Sequence, residues 1–161
     1  MIGFISSLFT SAEPVLSEAT LRDAAAIAPM HAASFRRGWS EHEIEEMLAD
    51  RHVIAHRAVT GSKLSGFVIS RLVEDEAEIL SIAVDRGRQR RGLAGRLLNL
   101  HVRRLAGLGA RTIFLEVDEH NKPAMRLYER GGFHEIARRA NYYPAANGTA
   151  AAALVLRRDL I

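Results

Sequence analysis

The chain has 161 residues, 48% of them hydrophobic and 25% charged, enough for one domain with its own core. It contains no cysteine, which excludes disulfides, thiolate catalysis and cysteine-based zinc sites. The net charge of +3 and pI of about 9.8 admit a polyanionic ligand or an acidic partner, but the scattered pairs Arg36-Arg37, Arg103-Arg104 and Arg157-Arg158 read as solvated faces, so no nucleic acid is expected.

Met1 to Thr10 is mildly apolar, without a basic start and far short of a membrane span. Residues 1–12 therefore read as an extension, 13–161 as a single domain, and the protein as cytoplasmic with no membrane partner. Pro14 to Ala19 is a predicted strand. Thr20 then caps a helix through Ser34, with Ala24, Ile27, Met30 and Ala33 on its apolar face and Pro29 as a bend. Ser40-Glu41-His42-Glu43 is a capping box ahead of Ile44, Met47 and Leu48 at helical spacing.

Strands follow at 52–59 and 64–73, joined by the hairpin signal Thr60-Gly61-Ser62-Lys63. His52 and His56 fall in the first of them and read as two surface histidines, so no metal is expected. Glu76 to Val84 is a further strand. A glycine-containing turn leads into a helix to Leu108, with the stripe Ala94, Leu97, Leu98, Val102, Leu105 and a C′ glycine at Gly109. Arg111 to Val117 alternates cleanly, with Ile113, Leu115 and Val117 on one face and Thr112, Phe114 and Glu116 on the other. Asn121-Lys122-Pro123 opens a short helix ended by Gly131-Gly132. Phe133 to Ala140 and Ala150 to Arg158 are the last strands. The order is an α+β plan with one parallel crossover, at the glycine turn.

That turn, Gln89-Arg90-Arg91-Gly92-Leu93-Ala94-Gly95, lies between a strand and a helix. It presents backbone N–H groups at the positive end of the helix dipole, a ready cradle for a pyrophosphate. The spacing is neither GxGxxG nor a nucleotide P-loop. Other candidates are ambiguous on the residues alone. Glu116 reads as a sheet-edge carboxylate paired to an arginine or as a base. Tyr128, on the stripe of Ala124 and Leu127, reads as packing or as a proton donor. Trp39 reads as core beside the Ser40 cap or as the wall of a peptide site, and Tyr142 and Tyr143 divide in the same way.

Ile82-Ala83-Val84-Asp85, Gln89 to Leu93, Leu115-Glu116-Val117, Asn121, Ala124, Leu127-Tyr128-Glu129 and Gly132-Phe133 resemble, in order and spacing, the GCN5-related N-acetyltransferases, the GNAT superfamily. The resemblance implies a mixed, V-splayed sheet of about seven strands with about four helices on its faces, and acetyl-CoA in the split. It implies that the backbone of Ile82, Ala83 and Val84 holds the pantetheine arm, that Arg90, Arg91, Gly92, Leu93, Ala94 and Gly95 hold the pyrophosphate with Gln89 also among the cofactor-binding residues, and that Asn121 reaches the cofactor. It makes Glu116 the proton acceptor and Tyr128 the donor. Two stretches, Arg138 to Pro144 and His31…Phe35…Trp39-Ser40, look like the ribosomal-protein-alanine N-acetyltransferases of bacteria. They imply a protein N-terminus as acceptor, that of a ribosomal protein, with Trp39, Tyr142 and Tyr143 around it. Two departures lie in that region. Asn147-Gly148-Thr149-Ala150-Ala151 lacks the acidic pair expected after Tyr-Tyr-Pro, and Gly38 stands where proline is expected. Two rival functions remain: acetylation of a lysine or small-molecule amine, and a catalytically inert basic module on the ribosome.

Overall fold

A computed structural model describes residues 12–89, 91–143 and 150–160. Most of the expected N-terminal extension, Arg90 of the turn, and residues 144–149 lie outside these. Among the described residues, seven strands form one sheet in the order β1-β2-β3-β4-β5-β7-β6. They are β1 (Val15–Glu18), β2 (Val53–Thr60), β3 (Lys63–Val73), β4 (Glu76–Val84), β5 (Thr112–Asp118), β6 (His134–Tyr143) and β7 (Ala151–Asp159). The helices are α1 (Ala24–Ser34), α2 (Glu41–Ala49), α3 (Leu93–Gly107) and α4 (Lys122–Arg130). Every neighbouring pair is antiparallel except β4 and β5, which makes the sheet mixed, as expected.

That parallel pair is short. It joins Glu76 to Thr112, Ala77 to Ile113 and Glu78 to Phe114, and then stops. Beyond it β4 stays on β3 as far as Val84, and β5 stays on β7 as far as Asp118. The two halves of the sheet therefore part and leave a split between facing strand edges. A bulge lies at the point of departure. Ser70 pairs with Ile79 and Ile69 with Ser81, so Leu80 is an extra residue in β4. Such a bulge bends its strand and tightens the local twist.

One core fills the α3/α4 face of the sheet, around Leu97, Leu98, Leu105, Ile113 and Leu115. The other, around Ile27, Ile44, Phe67 and Ile69, lies on the α1/α2 face. The odd residues Ile113, Leu115 and Val117 of β5 belong to the first core, so Glu116 points to the α1/α2 side. No helix among the described residues is long and apolar enough to cross a membrane.

Local signals account for most boundaries. The Ser40 box closes as expected: Glu43 N–H donates to Ser40 Oγ at 3.1 Å, and Ser40 N–H to Glu43 Oε2 at 2.7 Å. Helix α3 ends in a Schellman motif. Gly109 takes φ +99°, and the Ala110 and Gly109 N–H groups reach the Leu105 and Ala106 carbonyls, each at 3.0 Å.

Three expectations need correction. Thr20 begins a 3₁₀ turn over Leu21–Asp23, because the Asp23 carboxylate accepts the Thr20 N–H at 2.7 Å and closes the box one turn early. The buried face of α1 is Ala24, Ile27 and His31, while Ala33 is exposed. His56 is not at the surface. It points into the α3 face, where its Nδ1 meets His101 Nδ1 at 2.7 Å.

Candidate active site

The turn after β4 is held from below. Gln89 Nε2 donates to the Val84 carbonyl at 3.3 Å, and Asp85 N–H to the Ser65 carbonyl at 2.9 Å. Gly92 is the N-cap of α3 at φ +78°. Glycine is needed there for the left-handed backbone. A Cβ at Gly92 or Gly95 would find nothing within 4 Å, so the space beside both is open. Buried Leu93 anchors the first turn of α3, whereas Arg91 is exposed and Ala94 is partly covered. The first backbone bond of the helix runs from Arg96 N–H to the Gly92 carbonyl at 3.1 Å, and no acid stands in the first turn. The N–H groups before Arg96 thus have no intrahelical acceptor, and no acid of the first turn offsets the dipole.

Ile82, Ala83 and Val84 lie on the β4 edge past the end of the parallel ladder. Their side chains go to the two cores, and among the described residues no strand pairs with their backbone on the split side. On the opposite edge stand three acids. The Glu119 carboxylate accepts the Ala152 N–H at 2.9 Å and pairs with Arg138 at 2.7 Å, which together hold it below the usual carboxylate range. Asp118 Oδ1 accepts the His120 N–H at 2.8 Å. Glu116 makes an ion pair with Arg139, Oε1 to Nη1 at 3.4 Å. The pairing to an arginine, the alternative to a base in the sequence reading, is present.

Tyr128 is 6% exposed, in the α3/α4 core. Its position follows from the end of α4, where Gly132 at φ +85° closes a second Schellman motif. The Phe133 N–H donates to the Tyr128 carbonyl at 3.0 Å, and the two rings meet edge to face at 5.8 Å. Burial pushes the phenol well above its ordinary range, so it stays protonated. Asn121 caps α4 as expected, its Oδ1 accepting the Ala124 N–H at 3.2 Å. The amide NH₂ is the part of Asn121 left to reach a ligand.

On the α1/α2 face, His31 stacks between Phe35 and Trp39 at 4.5 and 4.1 Å between ring centres. Its Nδ1 accepts the Trp39 N–H at 3.1 Å, and burial lowers it to about 4. A neutral imidazole thus fixes Trp39, which packs on the core with Phe67 and Ala83. Tyr142 is half exposed, and the Arg139 guanidinium lies 5.5 Å from its ring centre. Tyr143 ends the same strand, in register with Ala151.

The structure thus joins Glu116 to Tyr142 through Arg139, and gathers Gln89 and Gly92 at the head of α3. Among the described residues no hydrogen bond or ion pair links Tyr128 to Glu116. Sequence reasoning assigned no role to Arg139 or His31. The signals were available: Arg139 shares the alternation of a strand near Glu116, and His31 sits four residues after Ile27 on the buried face.

A family model described as the acetyltransferase (GNAT) family matches residues 24–133. The [ribosomal protein bS18]-alanine N-acetyltransferase of Escherichia coli (strain K12) is 38% identical over 110 residues, covering 68% of this chain and 74% of that protein. The enzyme of the same description from Haemophilus influenzae is 33% identical over 118 residues, covering 73% and 80%. Among solved structures, the ribosomal-protein-S18-alanine N-acetyltransferase from Escherichia coli superposes with a TM-score of 0.85 at 30% identity, covering 92% of this chain and 94% of that one. Arabidopsis thaliana NAA60 in complex with acetyl-CoA shares the fold, with a TM-score of 0.81 at 20% identity over 92% and 99%.

Proposed function

This chain belongs to the GNAT family of acetyltransferases, and we propose that it carries the acetyl group of acetyl-CoA to the α-amine of a protein N-terminus, that of a ribosomal protein beginning with alanine. The observation that carries the reading is the split between β4 and β5, with the open turn at Gly92 beyond one edge and Glu116 on the other. The two bacterial relatives named for ribosomal protein bS18 supply the acceptor class. With such an acceptor we infer a cytoplasmic enzyme whose residues 13–161 form one catalytic domain.

The residues fit the co-substrate. The N–H groups of the turn at Arg91, Gly92, Leu93, Ala94 and Gly95 receive the pyrophosphate, and the missing Cβ at Gly92 lets it approach. The free edge at Ile82, Ala83 and Val84 receives the pantetheine arm as an added strand. Asn121 donates from its amide. Acetyl-CoA supplies the thioester.

Glu116 takes a proton from the α-amine, directly or through water, as nitrogen bonds to the thioester carbonyl carbon. A backbone N–H of the β4 edge steadies the charge on the carbonyl oxygen. The carbon–sulfur bond breaks, and the Tyr128 hydroxyl gives its proton to the departing sulfur. Solvent then returns the proton from Glu116 to Tyr128. The products are the N-acetylated chain and the free thiol of coenzyme A. Trp39, Tyr142 and Tyr143 flank the acceptor.

The test is incubation with acetyl-CoA and alanine-initiated peptides, lysine peptides and polyamines, with mass spectrometry to locate the new acetyl group. Acetylation at the α-amine is expected. Turnover of lysine side chains or polyamines alone would remove the N-terminal reading. Glu116→Gln should cut turnover by about 10²–10⁴-fold with acetyl-CoA affinity unchanged.

A further inference from the structure

The mechanism above leaves the ion pair on Glu116 unexplained. Glu116 and Arg139 come from β5 and β6, which are not neighbours, since β7 runs between them. Glu116 is in register with Val155 of β7, and Arg139 with Ala153. On that face the intervening strand presents only these short side chains, so the guanidinium crosses above β7 to Glu116 Oε1 at 3.4 Å. The Tyr142 ring, its centre 5.5 Å from the guanidinium carbon, adds a cation–π contact to it. The adjacent pair is a separate one: Arg138 is taken by Glu119, whose carboxylate is fixed by the Ala152 N–H. Arg139 therefore stands where the base meets the acceptor side.

A solitary carboxylate in this position would work against the reaction. It attracts the ammonium form of the incoming terminus, which binds but cannot attack a thioester. A fixed cation beside the carboxylate opposes that attraction and leaves the free amine favoured. Resting on the reading of Glu116 as base, we propose that Arg139 is a positioning residue that balances the Glu116 carboxylate, so that the acceptor enters as its uncharged amine. Its removal should tighten binding of the acceptor and slow the transfer, a combination that loss of an ordinary binding contact does not give.

Steady-state kinetics with an alanine-initiated peptide and saturating acetyl-CoA test this at pH 7, on Arg139→Met, Arg139→Gln and Arg139→Lys, each alone and in a Glu116→Gln background. Arg139→Met and Arg139→Gln should lower both peptide KM and kcat by roughly three- to tenfold, the range for a partly exposed charge, with acetyl-CoA KM unmoved. Arg139→Lys should restore most of both. In the Glu116→Gln background the Arg139 substitutions should no longer lower kcat, because no carboxylate is left to hold the ammonium form, while peptide KM still falls as a lone repelling cation is removed. A raised peptide KM, or an equal drop of kcat in both backgrounds, would overturn the proposal while leaving Glu116 as base. Wild-type turnover of Glu116→Gln alone would instead overturn the reading beneath it, and is scored first.

Discussion

Acidification from pH 7 to pH 5 should remove several kcal/mol of stability through two buried histidines rather than through carboxylates. His101 is fully buried on α3, with Nδ1 2.7 Å from His56 Nδ1 and Nε2 2.6 Å from Ser70 Oγ. The chain closes only if one facing nitrogen donates and the other accepts, so protonating both rings sets two N–H groups against each other. Burial, with the neighbouring His56, lowers His101 to about 3. Burial likewise lowers His31 to about 4, and its Nδ1 is the acceptor for Trp39 N–H. The ordinary value of both is 6.5. The unfolded chain therefore binds protons that the folded chain refuses, and stability falls with pH. The loss is absent above about pH 6.5 and grows down toward the folded values. At pH 5 each histidine is about 1.5 units below its unfolded midpoint, about 2 kcal/mol at 1.36 kcal/mol per unit, or about 4 together. A domain of this kind has only about 5–15 kcal/mol in all. The carboxylates held low, Glu43, Asp50 and Glu119, titrate in a more acidic window. Urea denaturation at pH 7, 6 and 5 measures the slope on wild type and on the His31→Gln, His101→Gln double variant. The variant should start less stable and run flatter. A wild-type loss under about 1 kcal/mol, or an equal slope in the variant, would refute the reasoning.

Three further outcomes follow from the site. Gly92→Val should stay folded, because its strain at φ +78° is about 1–2 kcal/mol and no atom lies within 4 Å of its Cβ, yet acetyl-CoA affinity by calorimetry should fall at least about tenfold; unchanged affinity in a folded variant would remove the phosphate cradle. Tyr128→Phe should lower kcat by about 10²-fold, the low end for a general acid, because a thiolate leaves tolerably without a proton; its thermal melting point should hardly move, and wild-type kcat would return Tyr128 to packing alone. Because residues 147–151 carry no acid, kcat/KM for Ala-Arg and Ala-Ala peptides should differ by less than about tenfold, and a larger ratio would point to other acids in the chain.

Elements whose signals are local were readable from the residues. Alternation placed β5 and turned Glu116 away from the core; Ser40, Asn121, Gly109 and Gly132 marked helix ends by short-range hydrogen bonds and positive φ. What escaped depends on partners far along the chain. His56 falls in a strand where each face carries a polar residue among apolar ones, and only the arrival of α3, 45 residues later, buries it against His101. Arg139 meets Glu116 because β7 lies between their strands and is small there, a fact of sheet order rather than of spacing. The Leu80 bulge has no composition of its own, being set by the pairing of β4 with β3.

The splay of the sheet bears on how two substrates of such different size meet. After β4 the chain crosses to α3, so the turn at Gly92 belongs to the face that holds Leu97 and Leu98. Glu116, Arg139 and Tyr142 belong to the other face, with Trp39 and the α1/α2 core. An unbroken sheet would separate these faces by a continuous ladder, and no acetyl group could pass between them. The ladder stops at Glu78 and Phe114, and the bulge at Leu80 follows directly in β4. Among the described residues the gap also leaves two strand edges without a partner strand, which a protein ordinarily covers. An extended arm lying along Ile82 to Val84 would satisfy that edge and carry its thioester through the gap toward Glu116. On the proposed reading, one interruption of backbone pairing would supply both the binding energy for the donor and the opening through which the acceptor's nitrogen reaches it, with no covalent enzyme intermediate required.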